Sequence, residues 1–87
     1  MKKICEIDAA TSYARTGELP LGYTWKSRKH RVNRSWFDRH FTTAQKQILE
    51  QHGYTARPHP RHNLTIELFI NENNLTDRDW TLIRLLF

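Results

Sequence analysis

The sequence predicts a single small α+β domain over residues 1–87, with three or four short helices and an antiparallel sheet of two or three strands. Three observations carry that expectation. Ser35, Thr42 and Thr76 are each followed three residues later by Asp38, Gln45 and Asp79, the spacing of a helix capping box, and apolar residues recur at helical intervals behind them. Leu64, Ile66 and Leu68 alternate with Thr65, Glu67 and Phe69, which is the pattern of a half-buried strand. Gly17, Pro20, Gly22, Gly53, Pro58 and Pro60 cut the chain into segments too short for long elements.

In order along the chain, Ile4 and Ile7, with Ala10, Tyr13 and Ala14, give residues 4–15 the spacing of a short amphipathic helix, although Thr11 and Ser12 are poor helix residues. Gly17 to Gly22 then forms a loop. Residues 23–34 admit two readings. As a strand, Lys26, Arg28 and His30 would share one face and Lys29 and Arg31 the other; as a helix, Lys26, Lys29 and His30 would group together. Phe37, Phe41, Ala44, Ile48 and Leu49 make a continuous stripe, expected to be core, on one bent helix or two, ending at Gly53. Tyr54 to Ile70 predicts a hairpin or a loop and strand, with Pro58 and Pro60 barring a central strand where they stand. The last helix opens at Thr76 and runs through Trp80 to Phe87.

Hydrophobic residues make up 38% and aromatics 11% of the chain, a low content that still supplies a small core with large members. A lone cysteine, Cys5, forbids an intrachain disulfide and suits a reducing compartment. The longest apolar runs, Leu68–Ile70 and Leu85–Phe87, are far too short to span a bilayer. The expectation is a cytoplasmic protein with no membrane partner.

The charge is concentrated. Between Lys26 and Arg39, six bases (Lys26, Arg28, Lys29, Arg31, Arg34 and Arg39) face one acid, Asp38, a balance of +5. The other eight bases and eight acids cancel. A block of one sign calls for a partner of the other, and a phosphate backbone is the commonest. Trp25 and Trp36 bracket the block, so stacking could join charge, although a small domain needs tryptophans in its core. The expected nucleic-acid contacts are Trp25, Lys26, Arg28, Lys29, Arg31, Arg34 and Arg39, with Arg57 and Arg61 in the Arg57–His62 stretch as a second point of contact.

Five histidines are present without the paired Cys or His spacing of a zinc site, so neither a metal nor a cofactor is expected. No glycine-rich phosphate loop or nucleophile elbow occurs, and no catalytic residue is assigned. The terminal helix carries a broad apolar stripe. It either closes the monomer's core or presents Trp80, Ile83, Leu86 and Phe87 to a partner protein or a second copy.

Three functions follow, in order of preference. The first is a non-enzymatic nucleic-acid-binding regulator or accessory protein acting through the basic-aromatic patch of residues 25–39. The second is a small protein-binding inhibitor or adaptor, of the kind mobile elements carry against host defence, docking on a nucleic-acid-processing complex. The third is an RNase-type toxin recruiting His40, His52, His59, Glu50 and Arg57 for acid–base chemistry.

Overall fold

The computed structural model describes residues 1–24 and 29–87. The chain runs β1 (Lys2–Asp8), α1 (Ala9–Thr16), β2 (Leu21–Thr24), β3 (Lys29–Val32), α2 (Arg34–His40), α3 (Thr43–His52), β4 (Tyr54–Pro58), β5 (Thr65–Ile70) and α4 (Asp77–Leu86). It is an α+β domain with two antiparallel sheets. One has three strands in the order β1-β5-β4, and the other is the hairpin β2–β3.

The alternation of β5 decides where the core sits. Ile66, Leu68 and Ile70 are buried on one face, joined by Ile7 of β1 and Ala56 of β4. Trp36, Phe37, Phe41, Ile48, Leu49 and Ile83 cover that face from the helical side. Glu67 points to the opposite face but is only 6% exposed. Lys3 and Arg57, from the strands on either side, each reach it at 3.3 Å. Burial alone would raise the Glu67 carboxyl, but these hydrogen bonds outweigh it and hold the group below the ordinary carboxylate value.

Local chemistry explains the helix ends. Thr42 and Thr76 accept from the backbone N–H of Gln45 and Asp79, whose side chains accept in return, so two of the three expected capping boxes form. Gln45 also donates to the Leu86 carbonyl, tying the start of α3 to the end of α4. At the other end of this pair, His52 Nε2 lies 3.7 Å from the Asp79 carboxylate. Gly17 and Gly53 close α1 and α3 with φ of 74° and 84°, a region that costs other residues a Cβ clash.

Five expectations need correction. Leu21 and Gly22 belong to β2 and not to a loop, and Leu64 lies just outside β5, exposed and with a φ of 61°. Residues 4–15 are not one helix, because Lys2–Asp8 pairs with β5 as a strand and Asp8 then caps α1 by accepting from Thr11 N–H at 3.0 Å. The buried side of α1 is Ala9, Ser12 and Thr16, whereas Tyr13 is half exposed. Ser35 does not open α2; Asn33 does, accepting from Ser35 N–H at 3.1 Å. Ala44 lies on the exposed side of α3, and α2 and α3 are separate helices that break at Phe41–Thr42.

Candidate nucleic-acid interface

Within residues 23–34, the described residues Tyr23, Thr24 and Lys29–Val32 are strand, while Arg34 opens a helix. Leu21 pairs with Val32, Gly22 with Arg31, Tyr23 with His30 and Thr24 with Lys29. The base of this hairpin is anchored. Leu21 and Val32 pack on the core, and the Asn33 N–H donates to the Pro20 carbonyl at 2.9 Å. From that base the strands lead to the connecting stretch, residues 25–28. The expected contacts Trp25, Lys26 and Arg28 belong to this stretch and lie outside the described residues. Lys29 belongs to β3 by its backbone, and Arg31 is exposed.

The second half of the block is arranged differently. Arg34, at the start of α2, sits 3.3 Å from Asp38 and 3.0 Å from Glu50 of α3, with its guanidinium 5.0 Å from the centre of the Phe37 ring. Arg39 donates to the Thr16 carbonyl at 3.1 Å, placing a cation at the C-terminal end of α1, where the helix dipole favours one. Both side chains hold elements of the domain together. Trp36 is fully buried.

The Arg57–His62 stretch also divides. Arg57 pairs with Glu67 and lies 4.4 Å over the Phe69 ring, on the open face of the three-stranded sheet. Arg61 is exposed in the connection from β4 to β5. That connection is shaped by His59, whose Nδ1 accepts from the backbone N–H of Arg61 at 3.0 Å and of His62 at 3.1 Å.

A buried polar seam, which the sequence reading missed, joins α1 to α2. Trp36 Nε1 donates to Ser12 Oγ at 2.6 Å, and Ser12 Oγ lies 2.7 Å from His40 Nδ1. Arg15 also donates to His40 Nδ1, at 2.8 Å. With two donors aimed at Nδ1, the network assigns His40 as neutral, its proton on Nε2. Burial, reinforced by the Arg15 charge, lowers the His40 pKa to about 4. A cavity of about 320 Å³ opens beside it, lined in part by Glu6, Asp8 and Thr11. A serine beside a histidine invites a nucleophile–base reading, but the geometry opposes it. Ser12 is 2% exposed and occupied by the indole, and a histidine with so low a pKa is a weak base near neutrality. The indole N–H was the one available signal, since a buried tryptophan needs an acceptor. Nothing in the sequence says which residue supplies it.

The remaining expected residues lie on α4. Ile83 is buried in the core, while Trp80, Leu86 and Phe87 are partly buried against it. Leu82 and Leu85 are exposed, at 41% and 78%. Cys5 is half-buried, and burial pushes its thiol up to about 11, leaving it protonated at neutral pH. Among the described residues, no cluster of three or more His, Cys, Asp or Glu side chains is placed to hold a metal ion. No described helix is long and apolar enough to cross a membrane. Compared with known protein families, curated proteins and solved structures, the chain matches none.

Proposed function

We propose that the chain is a non-enzymatic nucleic-acid-binding protein, a regulator or accessory factor, whose contact element is the β2–β3 hairpin. One observation carries this reading. The hairpin is a two-stranded sheet of its own, and its residues 21–32 hold Lys26, Arg28, Lys29 and Arg31 with no acid. A two-stranded ribbon fits a nucleic-acid groove, and converging cations on it release counterions from the phosphate backbone. Arg34 and Arg39, though exposed, drop out of this contact set because their guanidinium groups are engaged by Asp38, Glu50 and the Thr16 carbonyl. Arg61 supplies a second contact.

Four hairpin cations give an expected slope of log affinity against log salt of about −3 to −4 on duplex DNA. Titrating the chain by fluorescence anisotropy against duplex DNA, single-stranded DNA and structured RNA at several salt concentrations tests the reading. Binding of one of the three at physiological salt, with a slope in that range, supports it. Binding to none would make the hairpin a docking surface for acidic protein side chains and favour an inhibitor or adaptor role.

A further inference from the structure

A groove that shares no lining residue with the hairpin runs between β1 and α4. Its volume is about 460 Å³, and Lys2, Ile4, Trp80, Ile83, Arg84 and Phe87 line it. β1 is an edge strand of its sheet, and its register against β5 slips between Lys3 and Cys5. Ile4 is the extra residue of that bulge, a device that re-aims a side chain at a sheet edge. On the opposite wall, Trp80, Arg84 and Phe87 stand at helical spacing on one side of α4, while Ile83 roots the helix in the core.

The charge on this groove chooses its occupant. Lys2 and Arg84 are exposed, and among the described residues neither is paired with a carboxylate. A third cation on the lining, Lys3, is held by Glu6 and Glu67, and the remaining lining residues are aliphatic and aromatic. Two unpaired cations are too few to track a phosphate backbone, and the Lys2 ammonium, 5.2 Å from the Trp80 ring centre, already covers an indole face that a base would stack on. A carboxylate on either side of one apolar side chain matches all of these features.

We propose that the β1–α4 groove docks a linear acidic segment of a partner protein, seating one apolar side chain between Trp80, Ile83 and Phe87 and its flanking carboxylates on Lys2 and Arg84. This does not rest on the hairpin's binding nucleic acid. The test is an anisotropy titration of the intact chain with a labelled octapeptide that has Leu-Phe at its centre and three acidic residues on each side. The same peptide with Gln and Asn for the acids is the control. The acidic peptide binds and the control does not. Lys2→Gln with Arg84→Gln, at two exposed positions, weakens binding about fivefold to tenfold. Trp80→Ala weakens it further, while Arg28→Ala/Lys29→Ala/Arg31→Ala leaves it within about twofold.

Equal binding of both peptides, no binding of either, or loss in the hairpin variant in place of the groove variant would overturn the proposal. Displacement of the peptide by an oligonucleotide whose own binding needs Lys2 and Arg84 would make the groove a phosphate site. Self-association abolished by the groove substitutions would make a second copy the occupant. Either result also overturns the acidic-segment assignment.

Discussion

Arg31 and Arg34 belong to the same run of basic sequence, three residues apart, but the fold uses them differently. Arg31 stands exposed on a two-stranded hairpin that contains no acid. Arg34 opens α2 with Asp38 one turn below it and Glu50 of α3 alongside, and both carboxylates reach its guanidinium. The boundary between them is Asn33, which ends the hairpin and caps the helix. A charge block counted along a sequence therefore overstates the charge a partner meets. Where a helix brings acids from elsewhere, as at Arg34, the cation serves the fold; Arg31, on the hairpin strand, is exposed.

The comparison is sharpest in stability measurements, because the α1–α2 seam ties two helices of the domain together. Trp36 is fully buried with its indole N–H on Ser12, so Trp36→Ala should cost about 3–5 kcal/mol. That is a large part of the stability of a domain this size, and far-UV circular dichroism with urea titration should show a mostly unfolded chain at modest denaturant. An unchanged urea midpoint would contradict the seam's structural role.

Ser12→Ala is a smaller change. It removes the hydroxyl that accepts from Trp36 and strands the indole N–H, while His40 Nδ1 keeps Arg15, at a cost of about 1–3 kcal/mol. A cost near zero would mean that another acceptor, such as water, takes the indole N–H.

The smallest expected effect is a pH dependence. His40 has a folded pKa of about 4 against an ordinary 6.5, so the folded state binds its proton less readily than the unfolded state. Its contribution to stability is complete above about pH 6.5 and is lost as pH falls toward 4. Solvent screening of a partly exposed ring brings that loss to about 1–2 kcal/mol. His40→Gln keeps an acceptor for Ser12 without titrating, so its stability should fall less than the wild type's between pH 6.5 and 4.5. Equal losses in the two proteins would remove His40 as the source.

How much of this was legible in the sequence follows from how local each signal is. The caps at Thr42 and Thr76, the glycine at 53 and the alternation of β5 are contained within a few residues, and they form as expected. Ile4 and Ile7 stand at helical spacing, and only pairing with β5, some sixty residues away in sequence, makes β1 a strand. The structural partners of Arg34 and Arg39 are hidden from the sequence in the same way. Glu50 and Thr16, which engage Arg34 and Arg39, are 16 and 23 residues distant. The Ser12–Trp36–His40 seam joins residues 24 and 28 apart, and neither serine nor histidine carries a local mark of its partner.

The most direct test of the division within the basic block is to measure the salt slope of nucleic-acid binding for three proteins side by side: the wild type, Arg28→Ala/Lys29→Ala/Arg31→Ala, and Arg34→Ala/Arg39→Ala. The account predicts that the hairpin variant loses about three units of slope, at about 0.9 per phosphate contact on duplex DNA, with an unchanged urea midpoint. The Arg34/Arg39 variant should keep the wild-type slope and lose about 1–2 kcal/mol of stability. A slope that falls in the Arg34/Arg39 variant and holds in the hairpin variant would contradict it.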